Sequence, residues 1–224
     1  MKKVMLTAVL ILLCCVCFNA NAQHKIGDLM EKSGTWGIVV YVDDSGQHGL
    51  LMSCTVAPKK TPWASEQYAS VQINTTDEND GKVNTQKVVD YAKNNGLNLA
   101  DAFPLFNWAV NTCGEGWYIP AINELLTMAK GINGGTLKDF DPRRKPYQQF
   151  QKALMKPKGS KGMFTGDIMS QIPSSTEFNG MTDKVQGLVE VAQSLLSKKG
   201  NFQTLPAEKN KSQIIYSKRA FYKF

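Results

Sequence analysis

Histidine is scarce in this chain. Only His24 and His48 occur in 224 residues, so any Ser-His-Asp or Cys-His arrangement must recruit one of them. Cysteine is nearly as rare: three of the five, Cys14, Cys15 and Cys17, fall in the first 22 residues, leaving Cys54 and Cys113. Two cysteines and two scattered histidines offer no close ligand pair for tetrahedral zinc. The chain lacks a Walker-type phosphate loop, because the glycines at Gly131–Gly135 come without the lysine and hydroxyl that such a loop needs. Beyond the N-terminus no apolar run approaches the ~20 residues of a bilayer-spanning helix.

The first 22 residues form three zones: Lys2 and Lys3, then an apolar run from Val4 to Phe18, then Ala20-Asn21-Ala22. This pattern predicts a secretory signal peptide with Gln23 as the new N-terminus. The run is too short for a membrane anchor. A lipoprotein signal is the other alternative; its cysteine ordinarily follows a small residue, whereas these follow Leu13, Cys14 and Val16. The expected compartment is the periplasm, the cell surface or the extracellular space. Removing Lys2 and Lys3 takes the net charge from +7 to +5, a surplus that favours solubility and some affinity for anions. No nucleic-acid reader motif accompanies it. In an exported chain Cys54 and Cys113 can form a disulfide, which is the expectation here, with two buried free thiols as the alternative.

Residues 23–224 are expected to form one domain; the full chain's apolar content, 42%, is ordinary for a protein with a packed core. Ile38 to Val42 and Gly49 to Cys54 predict a hairpin around the turn Asp43-Asp44-Ser45-Gly46. Thr85 to Asn94, Phe103 to Asn111, Ala121 to Lys130 and Pro146 to Met155 predict helices, the third stopped by Gly131. Gly116 to Ile119 suits a short strand and Gln213 to Tyr222 a final one. Val185 to Leu196 fits a helical stripe and a valine-rich strand equally well.

Four stretches share one family pattern. They are the hairpin Gly37 to Leu50; Asp80-Gly81-Lys82-Val83-Asn84-Thr85; Cys113-Gly114-Glu115-Gly116-Trp117-Tyr118-Ile119-Pro120 with Glu124-Leu125; and Ser174-Ser175-Thr176-Glu177 with Arg219-Ala220-Phe221. On these the chain resembles bacterial C-type-lectin-like domains of the Lcl C-terminal and major paralogous domain type. The resemblance implies an α+β, C-type-lectin-like fold of short helices packed on small antiparallel sheets, and strands for part of Val189 to Leu205. It also implies a scaffold used for binding.

The residues in these stretches read as structural. Trp117 is large enough to anchor a core, and Pro120 fixes φ where a helix begins. Relatives often place Ser or Thr after this proline as a helix cap; Ala121 stands there instead, a loss expected to cost about 1 kcal/mol. Glu124 can still bond back to the start of the helix. Ser174, Ser175, Thr176 and Glu177 carry no chemistry of their own. The sugar-coordinating triplets of calcium-dependent lectins, which the family resemblance would suggest looking for, do not occur. Asp43-Asp44 and Asp77-Glu78-Asn79-Asp80 are oxygen-rich, but short acidic turns are ordinarily solvated. No metal or cofactor is expected.

The remaining feature is a basic stretch. Arg143, Arg144, Lys145, Lys156, Lys158 and Lys161 lie with Tyr147 and Phe150 between them. It is either a solvated helix face or a surface for an anionic glycan, whose sulfates and carboxylates suit arginine forks. The expectation is an exported, non-enzymatic binding domain for a glycan or a surface protein, with adhesion as its setting. The alternative is an assembly component of a surface appendage or complex.

Overall fold

The computed structural model describes residues 23–162, 172–178, 187–194, 201–206 and 218–224; the expected signal peptide lies outside them. In chain order the elements are β1 (Leu29–Lys32), β2 (Thr35–Val42), β3 (Gly49–Ser53), α1 (Gly81–Asn94), α2 (Leu99–Ala102), α3 (Pro104–Asn107), α4 (Ile122–Ile132), α5 (Lys145–Leu154), β4 (Ile172–Phe178), β5 (Gly187–Ser194), β6 (Asn201–Pro206) and β7 (Phe221–Lys223). The fold is mixed α+β. One antiparallel sheet has the order β1-β2-β3-β7 and a second the order β4-β5-β6. Among the described residues no helix is long and apolar enough to cross a membrane.

The first sheet is covered on both faces, which explains why β2 and β3 are nearly continuous apolar runs instead of alternating ones. Ile38, Val40, Leu50, Met52 and Cys54 face a core built with Ile122, Leu125 and Met128 of α4 and with Tyr147, Phe150 and Leu154 of α5. Val39 and Leu51 face the other way, toward Trp63, Val88, Phe103, Phe106, Cys113 and Trp117. Cys54 and Cys113 therefore lie on opposite sides of the sheet. Both are buried free thiols, and the expected disulfide gives way to the alternative because the sheet stands between them.

Several elements differ from the sequence expectation. α1 starts a turn early because Asp80 caps it, its carboxylate accepting from the N–H groups of Lys82 and Val83. The single helix expected over Phe103 to Asn111 is broken. α2 ends before Phe103, Pro104 opens α3, and a wide turn at Trp108–Thr112 completes the segment. Gly131 does not stop α4; it lies within the helix where a β-carbon would collide with the Val40 carbonyl, so it serves close packing on β2. The strand expected at Gly116 to Ile119 is one bridge, Tyr118 to Phe221. Within the ambiguous Val185 to Leu196, Gly187–Ser194 is a strand paired on both edges, to β4 and β6; two ladders outweigh a helical stripe. Among the described residues the final strand spans Phe221–Lys223, and residues 213–217 of the expected run lie outside them.

Candidate functional site

Pro120 delivers the chain to α4, and Ala121 indeed has no side chain with which to cap it. The missing oxygen comes from the second sheet: Thr176 Oγ1 accepts from the Ile122 N–H at 3.1 Å. Glu124 supplies the other half. Its Oε2 accepts from the N–H of Ala121 at 2.9 Å and of Gly81 at 3.0 Å, so one carboxylate ties together the starts of α4 and α1. Gly81 permits this, because a β-carbon there would strike the Ile119 carbonyl and the Ala121 nitrogen. Glu124 Oε1 accepts from the Tyr118 hydroxyl at 2.7 Å and lies 3.5 Å from Lys223 Nζ, which also pairs with Asp80 at 2.8 Å. Burial pushes the Glu124 pKa up, and these four donors pull against it. Tyr118 is held protonated, chiefly by burial and then by the Glu124 charge.

The other family-pattern residues also hold segments together. Ser175 N–H donates to the Pro120 carbonyl, and Glu177 accepts from Ile73 and Thr75 N–H groups at 3.2 and 2.9 Å. Ser174 offers its carbonyl to Trp63 Nε1. Trp117 is 2% exposed, and its Nε1 donates to the Lys32 carbonyl at 3.0 Å. Arg219, 1% exposed, donates to the carbonyls of Ser53, Cys54, Lys161 and Gly162, and burial lowers its pKa to about 10. Trp63, packed edge-on against Phe103 and Phe106, is a core anchor that its turn-like surroundings in the sequence concealed.

The basic stretch does not converge. Arg143, Arg144 and Lys145 stand at the start of α5; Lys156, Lys158 and Lys161 follow its end, ten helical residues or roughly 15 Å away. All six are exposed, and Arg143 is engaged by Asp141 through two bonds of 2.9 and 3.0 Å. Tyr147 and Phe150 are not interleaved on this surface. They are buried in the core, with Tyr147 edge-on to Phe140, because the apolar face of α5 must meet β2 and α4.

What the structure brings together is a cavity of about 430 Å³ above Glu124. β2 contributes Tyr41, 41% exposed, just after a bulge at Val40. The hairpin turn contributes Asp43 and His48, the loop before α1 contributes Asn79, α4 contributes Asn123 and Thr127, and the last strand contributes Lys223 and Phe224. The walls are braced by hydrogen bonds. Ser45 Oγ donates to Asp43 at 2.6 Å, the main reason the Asp43 pKa is lowered. Asp77 Oδ1 accepts from the N–H groups of Asn79 and Asp80, which closes the loop before α1 on itself. Asn84 holds Asp77 from both sides. His24 donates its backbone N–H to the Gly46 carbonyl and packs its ring on Phe224 at 5.2 Å. Among the described residues no group of three His, Cys, Asp or Glu could hold a metal ion.

Of the residues named from the sequence, Glu124 lines this cavity as well as holding the fold, and Asp43, His48 and Asn79, named there only as turn residues or as a candidate histidine, line it too. Tyr41, Asn123, Thr127 and Lys223 were not singled out as site residues; each is an ordinary polar residue in its segment, and no spacing links them to the turn residues. A second cavity of about 590 Å³ on the other side of β7 has Ser33, Gln86, Glu115 and Tyr222 among its walls. There the Ser33 hydroxyl and Trp117 Nε1 are already committed to carbonyls. Compared with known proteins, the chain matches no family model, no curated protein and no solved structure.

Proposed function

We propose that the protein is an exported, non-enzymatic domain of the C-type-lectin-like kind that recognises a glycan in the cavity between the β2–β3 hairpin and α4. The supporting observation is the composition of that cavity. Tyr41 and Phe224 offer apolar ring surface, and Asp43, His48, Asn79, Asn123, Thr127 and Lys223 add donors and acceptors from four separate segments. Concave sites of this size with a few placed polar groups suit small ligands, and a sugar presents both an apolar face and a ring of hydroxyls. Binding fits better than catalysis because both oxygens of Glu124 are taken up by donors from the protein itself. The three-zone leader and the family pattern around Trp117 support the export and fold parts of the reading.

A glycan array probed with the purified protein tests it. Wild type should mark a defined set of glycans, and Tyr41→Ala should lose them while keeping the wild-type unfolding midpoint. A blank array, or a Tyr41→Ala variant that marks the same glycans equally well, would overturn the assignment.

The assembly reading retains one supporting observation. The first sheet ends on β1, and Trp36, beside Glu31 of that strand, is 42% exposed. Trp36→Lys would then abolish a pull-down partner and spare array binding.

A further inference from the structure

We infer that the end of the first sheet away from the Glu124 cavity is an electropositive face that holds the protein on an anionic lipid surface. The cavity lies where β3 begins and β7 ends, with Gly49, Lys223 and Phe224 in its walls. At the other end β3 runs out through Cys54, and the chain enters β7 through Lys218 and Arg219. There the Ser53 N–H donates to the Ala220 carbonyl and the Ala57 N–H to that of Lys218. The length of β3, Gly49–Ser53, sets the two ends roughly 16 Å apart.

Two loops are fastened at this second end. Lys218 Nζ donates to the carbonyls of Lys59 and Thr61 at 3.1 and 2.6 Å, and Arg219 donates to those of Lys161 and Gly162 at 2.6 and 3.1 Å. The Lys161 N–H donates to the Cys54 carbonyl at 3.1 Å. These loops expose Lys59, Lys60, Lys156, Lys158 and Lys161, and residues 55–65 and 142–162 contain no aspartate or glutamate. The half of the basic stretch that follows α5 thus meets a second pair of lysines that the sequence places about a hundred residues earlier. The two fasteners are cations as well. Lys218 and Arg219 are 2% and 1% exposed, and among the described residues they donate to backbone carbonyls and to no carboxylate. Burial lowers Lys218 to about 8 and Arg219 to about 10, so both remain charged at neutral pH. Buried charge is screened less than charge in water, so these two add to the field of the five exposed lysines.

The face lacks what a glycan or a nucleic acid would use. Its exposed cations are all lysines, which are point charges without the arginine fork. Residues 58–61 and 155–162 contain no aromatic ring on which a sugar or a base could stack. None of the five lysines lines either cavity described above. A bilayer with anionic headgroups needs neither fork nor groove, only several lysines within reach of a charged plane. Met155, 53% exposed and directly before Lys156, adds an apolar side chain beside those charges. Attachment by this end keeps the lipid at the opposite end of β3 from the cavity.

Co-sedimentation of the purified protein with vesicles decides it, using phosphatidylcholine alone and phosphatidylcholine with about one-third phosphatidylglycerol. Wild type should bind the anionic vesicles at least about tenfold more tightly than the neutral ones, and about 1 M salt should release it. Each lysine at such a surface contributes about fivefold, so the combined Lys60→Ser, Lys158→Ser and Lys161→Ser variant should lose at least about tenfold. Its unfolding midpoint should match wild type. The combined Arg143→Ser, Arg144→Ser and Lys145→Ser variant, altered at the far end of α5, should stay within about twofold of wild type. If the lysine variant fails to fold, the wild-type lipid series and the arginine variant still decide. Equal binding to neutral and anionic vesicles overturns the inference, because charge then does not hold the protein. Equal losses in the two variants overturn it as well, because net charge alone then suffices. Wild type that ignores both vesicles also overturns it, and a lower heparin elution for the lysine variant would then assign the face to a soluble polyanion.

Discussion

Glu124 shows how much one side chain can hold. Its two oxygens gather the N–H groups that open α1 and α4, the Tyr118 hydroxyl and the Lys223 ammonium. Removing it leaves two N–H groups and a hydroxyl without partners in a buried place, at about 1–3 kcal/mol for each such group. Glu124→Ala should therefore cost more than about 3 kcal/mol in urea unfolding, and Glu124→Gln, which keeps one acceptor oxygen, distinctly less. A Glu124→Ala protein as stable as wild type would show that water replaces the carboxylate at no cost. The role of Glu124 was legible in the sequence through its spacing from Pro120, since a glutamate three residues into a helix bonds back to its start. The Thr176 oxygen that completes the cap was not, because it arrives from 54 positions away in the chain. The cavity was illegible for the same reason: Tyr41, Asn79, Asn123 and Lys223 come from four segments, and nothing local in any of them announces a site.

At the scale of elements, turn and cap chemistry carried most of what could be read. The hairpin of β2 and β3, α4 and α5 follow their local signals to within two or three residues. α1 was read a turn short, although Asp80-Gly81 is itself a cap signal, and the aromatic segment after Phe103 was read as one helix although Pro104 interrupts it. The basic stretch was legible as charge but not as geometry. α5 sets its two halves roughly 15 Å apart, and its aromatics are spent on the core. Exposed charges so arranged act on a polymer only additively, and salt screens them. The protein should elute from a heparin-like column at low salt. Replacing Arg143, Arg144 and Lys145 by Ser should shift elution only slightly, because Lys156, Lys158 and Lys161 remain at the far end of the helix. Complete loss of retention in the triple variant would instead mark the start of α5 as a compact anion site.

Among the described residues the first sheet lies between two cores, and each core hides one thiol. Burial pushes the Cys54 thiol up to about 11 and the Cys113 thiol up to about 12, from an ordinary value of 9.0. Between those limits the folded chain keeps protons that the unfolded chain has released. The stabilising contribution of each thiol is therefore complete below pH 9 and is lost as pH rises toward its folded value. Lys218 and Arg219 act in the opposite sense. Burial lowers Lys218 to about 8 and Arg219 to about 10, so their unfavourable desolvation fades as pH rises. The total pH profile thus mixes opposing contributions, and only a difference between variants isolates a thiol. Cys113 is the cleaner of the two, since burial alone shifts it, whereas Cys54 also feels the Arg219 charge. Wild type should exceed Cys113→Ala in stability at neutral pH by about 1 kcal/mol, the value of a small buried group. That gap should narrow steadily above about pH 9 and then reverse sign, because the alanine protein has no thiol to deprotonate. Urea unfolding of both proteins from about pH 7 to about pH 11 measures it. A gap that stays constant across the range would mean that water reaches Cys113 in the folded state, and that the core between α1 and the sheet opens without the rest of the molecule.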